Sequence, residues 1–359
     1  MLPGQPLRAV APFPRACVGP IQQGEDAMFR KGIAIVLMAV FAAGLFASRV
    51  MAAEKMILYT SMKESLIGAI YDAFKKKHPD ITIDYQSAGA GKLMAKIATE
   101  RQAGKILADV LWTSEVPDFY NMKAEGLLEK YTPSNIAELI QPFPDYDGYF
   151  TAARLGTLGI VYNTRFVKEK PTQWDNIFEK QFKGAFGIAN PALSGTAYMA
   201  VAMLVKQFGW EFVDKMAANK TKIGKGAGQV IDDTASGELV GCIGVDYITL
   251  DKIKKGAKLG YAFPPQILLS PSPVAIIKGT PNLTAAQAFV DFLLSKDAQE
   301  IIASEGTLPV RNDVKLDPLL PVSSPEEALQ RSIKINYVDM ISEKADTIKK
   351  FTDIMQGKK

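Results

Sequence analysis

Three apolar runs in this chain each break off into small polar residues and then into a helical pattern: Tyr59-Thr60-Ser61-Met62-Lys63, Ser87-Ala88-Gly89-Ala90-Gly91-Lys92 and Trp112-Thr113-Ser114-Glu115. Repeated strand-to-helix corners of this kind restrict the fold to α/β, with a parallel sheet covered by helices. In an open sheet the crevice lies beyond the carboxyl ends of the strands, where the first turn of each helix presents unpaired N–H groups. The corners therefore predict a site for a small anionic molecule.

Hydrophobic periodicity fills in the elements. Residues 56–59 read as a buried strand, 65–77 as a helix with Leu66, Ile67, Ile70 and Phe74 on one face, 81–85 as a strand, 92–103 as a helix and 108–112 as a strand. After Asp145-Tyr146-Asp147-Gly148, two extended segments, 149–155 and 159–162, flank Gly156 and read as crossing between two lobes. A second αβ region follows: strands at 186–189, 239–245 and 259–263, and helices at 196–208, 209–218 and 229–236. A return strand at 273–277 precedes helices at 284–294 and 296–304, and a final helical stretch at 325–355 is read as bracing the back of one lobe. The division expected is a leader over 1–52, one lobe from 53–152 with 275–322, a second lobe over 153–274, and C-terminal helices over 323–359.

Arg30 and Lys31 precede an apolar run over 33–47, and Val50-Met51-Ala52 leads to Ala53, the layout of a secretory signal peptide removed near Ala52-Ala53. Met28 reads as the start, and the run is shorter than the roughly 20 residues a membrane span needs. Export from the cytoplasm is therefore expected. The first 52 residues hold five basic and two acidic side chains, which leaves 37 basic against 36 acidic. So even a balance argues against a nucleic-acid partner, which needs clustered positive charge. Cys17 precedes the apolar run and cannot carry a lipid directly after it, while Cys242, alone in the remainder, reads as a buried inert thiol. A monomer is expected.

The order of these corners, with Gly-Ile-Val-Tyr-Asn-Thr at 159–164, Asn190-Pro191-Ala192-Leu193-Ser194-Gly195-Thr196 and Gly-Glu-Leu-Val-Gly-Cys-Ile-Gly-Val-Asp-Tyr at 237–247, resembles the periplasmic solute-binding proteins of ABC importers over residues 54–312. Within them it is most similar to the branch of ferric-ion, thiamine, sugar-phosphate and 2-aminoethylphosphonate binders. The resemblance implies a type II fold: two lobes, each a mixed sheet flanked by helices, joined by two crossing strands. It also implies closure on a solute and delivery to an ABC permease in the inner membrane. Ferric members place His or Gln, Glu and a Tyr-Tyr pair where this chain has Lys63, Ser114 and Asp246-Tyr247. Lys and Ser are poor ligands for Fe(III), so no metal or cofactor is expected, with iron held by Asp246, Tyr247 and a synergistic anion as the alternative.

The residues fit an organic anion such as aminoethylphosphonate or a sugar phosphate. Ser61, Lys63, Gly89, Ala90, Gly91 and Ser114 form the first half of the expected site, and Ser194, Gly195, Thr196, Asp246 and Tyr247 the second. Lys63 neutralises the phosphate as a point charge, the glycines let backbone approach the ligand, and Asp246 accepts from an ammonium or from sugar hydroxyls. Tyr247 stacks or donates. Ser61, Ser114, Ser194 and Asp246 suit helix capping equally well, Trp112 suits the core, and Gly224, Gly226 and Gly228 suit a phosphate loop or a plain turn. An exported enzyme is the reading from another class. It would have to work without a Gly-x-Ser-x-Gly elbow, without the Ser or Thr that a P-loop needs after Lys92, and with the single histidine, His78, following three lysines.

Overall fold

The computed structural model describes residues 54–143 and 145–358; the leader, Met28 and the cleavage point near Ala52-Ala53 lie outside the described residues. Strand β1 (Glu54–Thr60) pairs in parallel with β2 (Ile81–Ser87) and β3 (Val110–Trp112), and α1 (Glu64–Lys77) and α2 (Ala90–Gln102) make the crossovers. Helix α1 buries Leu66, Ile67, Ile70 and Phe74 and ends in Lys75, Lys76 and Lys77, where positive charge complements the helix dipole. His78 closes it with its ring stacked 4.7 Å from that of Phe74. Helix α3 (Val116–Ala124) follows β3 with Pro117 in its first turn, where a missing N–H costs nothing.

The two lobes are joined by β4 (Thr151–Asn163) and β9 (Leu268–Ile276), which run antiparallel from Thr151 opposite Val274 to Leu158 opposite Leu268. Beyond them β9 pairs with β3, and β4 pairs with β7 (Gly241–Val245) and β8 (Leu259–Ala262). Strands β5 (Phe186–Ala189) and β6 (Lys222–Gly224) complete the order β2-β1-β3-β9-β4-β7-β5-β6, with β8 on β4. The second lobe carries α4 (Gly195–Phe208), α5 (Trp210–Ala218), α6 (Ala227–Ser236) and α7 (Asp246–Lys254). Helices α8 (Leu283–Leu293) and α9 (Lys296–Ser304) return to the first lobe, where Phe289 and Phe292 meet Phe74 edge-on at 5.5 and 5.4 Å. Trp112 and Cys242 are both in the core, and burial pushes the Cys242 thiol up to about 12.

Several elements differ from the sequence reading. The two segments flanking Gly156 are one strand, because β9 pairs along its length. The return strand starts at Leu268 rather than 273; Pro271 and Pro273 lack ladder donors and conceal it in the sequence. Between Ala152, opposite Pro273, and Arg154, opposite Ser272, the register slips by one residue, a bulge at which a proline is tolerated.

The C-terminal stretch is two helices, α10 (Pro325–Arg331), capped by the Ser324 hydroxyl, and α11 (Asp339–Met355). Instead of bracing one lobe, α11 packs on α3 of the first and on α4 and α5 of the second. Among the described residues no helix is long and apolar enough to cross a membrane.

Candidate functional site

Where the strand-to-helix corners of the two lobes face each other lies a cavity of about 130 Å³. Of the residues expected there, Ser61, Lys63, Gly89, Ala90, Ser114, Ser194, Gly195, Thr196 and Tyr247 line it; Gly91 and Asp246 do not. Arg154, Lys92, Lys225 and Gly226 line it as well.

Helix starts dominate the wall. The N-cap residues of α1, α2, α4, α6 and α7 are Lys63, Gly89, Ser194, Gly226 and Val245; all five line the cavity and none supplies a side-chain cap. Elsewhere α9 and α10 are capped by Ser295 and Ser324 while α3, α5, α8 and α11 lack side-chain caps too, so what sets the five starts apart is that they converge on one cavity. Each uncapped start presents free N–H groups and the positive end of a helix dipole, so their convergence favours negative charge. Three starts are partly served: the Leu66 N–H donates to Lys63 O at 3.0 Å in α1, the Lys92 N–H to Gly89 O at 2.9 Å in α2, and the Tyr247 N–H to Asp246 Oδ1 at 2.7 Å in α7. The serines do not cap their own helices. Ser61 Oγ accepts from Ser114 N at 3.0 Å, Ser114 Oγ meets Ser272 Oγ at 3.2 Å, and Ser194 Oγ meets Thr196 Oγ1 at 3.1 Å.

Arg154 is the cationic floor, and the sequence reading passed over it. The bulge that precedes it re-aims its side chain, and Gly156 makes room: a Cβ there would lie 2.9 Å from Arg154 Nη1. The guanidinium is 1% exposed, lies 5.0 Å from the Tyr247 ring centre, and donates to Thr307 Oγ1 at 2.7 Å, Ser114 Oγ at 3.3 Å, Asp246 Oδ1 at 3.4 Å and Met62 Sδ at 3.2 Å. A guanidinium has five N–H donors. Four are engaged among the described residues, and the fifth, on Nη2, has no partner among them.

Asp246 is fully buried behind this floor and does not face a solute. Its Oδ2 accepts from Thr157 N at 2.8 Å, Thr157 Oγ1 at 2.9 Å and Thr307 Oγ1 at 2.7 Å. Burial pushes its carboxyl up, opposed by Arg154 and by the Thr157 N–H. The expectation of direct contact is therefore corrected: Asp246 is the counter-ion and anchor of Arg154. Tyr247 does reach the cavity. Its hydroxyl accepts from Lys63 N at 2.9 Å, which ties the lobes together and leaves its own proton free to donate, and burial pushes the phenol up to about 12.

Gly89 and Gly91 also allow close approach between the lobes. A Cβ on Gly89 would lie 2.2 Å from the Leu193 carbonyl oxygen, and one on Gly91 2.4 Å from that of Ala192. Both obstacles are backbone and cannot step aside. Gly91→Ala is expected to hold the lobes apart and weaken ligand binding about tenfold or more, since affinity falls with the population of the closed form. Calorimetry gives the affinity, and small-angle scattering gives the closure; full compaction on adding ligand would contradict it.

The sequence profile of the bacterial extracellular solute-binding proteins matches residues 69–328. The chain belongs to that family. An uncharacterized protein of Haemophilus influenzae is 30% identical to it over 297 residues, 77% of this chain and 84% of the relative. The "Putative 2-aminoethylphosphonate-binding periplasmic protein" of Salmonella typhimurium is 26% identical over 256 residues, 68% of this chain and 74% of the relative. Among solved structures, the periplasmic binding protein AfuA from Actinobacillus pleuropneumoniae, with exogenous fructose-6-phosphate bound, superposes with a TM-score of 0.73 at 25% identity, over 84% of this chain and 99% of its own. The solute-binding protein thus shares the two-lobed architecture of periplasmic relatives that bind rather than catalyse.

Proposed function

We propose that this solute-binding protein captures a small solute bearing a phosphate or phosphonate group by lobe closure and presents it to an ABC permease. The observation that carries this reading is the set of five helix starts without side-chain caps around a buried arginine with a spare donor. A tetrahedral oxyanion accepts several hydrogen bonds, so helix N–H groups, Ser or Thr hydroxyls and Arg154 can share it. Contacts come from both lobes, so the ligand favours the closed form, in which both sets are in reach. The named relatives include one described as a phosphonate binder and one with a sugar phosphate bound, which agrees with this chemistry.

Fe(III) on Asp246 and Tyr247 fits less well. Hard Fe(III) favours carboxylate and phenolate oxygens; here the Asp246 carboxylate is buried behind Arg154 and already accepts from Thr157 and Thr307. In a thermal-shift panel, inorganic phosphate, methylphosphonate and fructose 6-phosphate are expected to include at least one stabilising ligand. At about a hundredfold over its Kd such a ligand adds about 2.7 kcal/mol. Stabilisation by ferric citrate alone would overturn the reading.

A further inference from the structure

Resting on the reading just given, we infer that the solute carries a second anionic group beside its phosphate or phosphonate, and that zwitterions are disfavoured. The floor of the cavity is charge-balanced, because Arg154 is paired with the buried Asp246. The mouth is not. Lys63 at the start of α1, Lys92 in the first turn of α2 and Lys225 just before α6 come from both lobes, and all three line the cavity. Among the described residues no Asp or Glu lines it and none of the three lysines forms an ion pair.

Lys63 reaches across the mouth. Its Nζ would stand 3.9 Å from a Cβ placed on Gly228, in the first turn of α6, two residues beyond Gly226 and three beyond Lys225. Closure therefore gathers three ammonium groups next to helix starts that are themselves positive, an arrangement opposed by like-charge repulsion until an anion enters. With one phosphoryl group held by the N–H groups and Arg154, a carboxylate or second phosphoryl group a few bonds away would give these ammonium groups a partner of opposite charge. An ammonium at the same place would face three cations and no carboxylate.

Three phosphonates of matched length separate the possibilities by calorimetry: 3-phosphonopropionate, 2-hydroxyethylphosphonate and 2-aminoethylphosphonate. The carboxylate compound is expected to bind at least about tenfold tighter than the hydroxyl compound, as one added charge-assisted hydrogen bond allows, with the ammonium compound weakest. In Lys225→Ala, an exposed position, the ratio of carboxylate to hydroxyl affinity is expected to fall towards one. Equal or tighter binding of 2-aminoethylphosphonate would overturn the inference while leaving the phosphonate reading intact. Failure of all three and of inorganic phosphate, with uptake of ferric citrate, would overturn that reading itself.

Discussion

Arg154→Met is expected to abolish measurable solute binding and to lower stability by about 3–5 kcal/mol, the usual effect of removing one partner from a buried ion pair. The side chain is at once the charged floor of the cavity and the cation facing Asp246, and its loss also strips a donor from Ser114 and Thr307. Urea unfolding reads the stability and calorimetry the binding. Without Arg154 the Asp246 carboxyl is raised further, beyond the rise that burial already causes. The deficit should therefore be full at neutral pH and shrink as the pH falls and Asp246 takes up a proton. Adding Asp246→Asn should restore part of the stability, since the stranded charge is gone, but none of the binding. A double variant that binds normally would remove Arg154 from the site.

The second large effect is expected at the C-terminal helix. Lys344 of α11 pairs with Asp118 at 2.7 Å and with Glu115, two carboxylates at the start of α3 and almost wholly buried. Its ammonium also lies 5.7 Å over the ring of Tyr198, whose hydroxyl donates to Met340 O at 3.0 Å. Replacing Lys344 by methionine strands two carboxylates, and the expected loss is again about 3–5 kcal/mol. Burial first, then Asp118, pushes Glu115 up to about 7 even with Lys344 in place. A carboxyl raised above its ordinary value holds its proton more tightly in the folded chain. Its contribution is therefore full below the ordinary 4.5 and declines as the pH climbs to about 7. The Lys344→Met deficit should be larger at pH 8 than at pH 5 by thermal unfolding. A deficit independent of pH would mean that the helix is held by its apolar face alone.

Much of the site was legible because its chemistry lies in local sequence. Ser61, Ser114 and Ser194 lie between a strand and the helix after it, with Thr196 in the first turn of α4, and that context alone directs them to one edge of the sheet. Arg154 escaped because its orientation depends on a one-residue slip against a strand more than a hundred residues away, itself hidden by Pro271 and Pro273. The available signal was a lone arginine in the apolar run Thr151-Ala152-Ala153-Arg154-Leu155-Gly156. Asp246 failed for the opposite reason: a carboxylate at a helix start suits a solute or a buried cation equally well, and only the position of Arg154 decides. Gly89 and Gly91 were read as places where backbone approaches a ligand; what the structure brings close to them is the backbone at Leu193 and Ala192.

Native mass spectrometry of the protein as purified from cells tests the central claim most directly. A bound organic solute containing phosphorus, lost in Arg154→Met, is the predicted result. Bound iron with a visible phenolate absorbance would instead make Tyr247 a metal ligand and contradict the account.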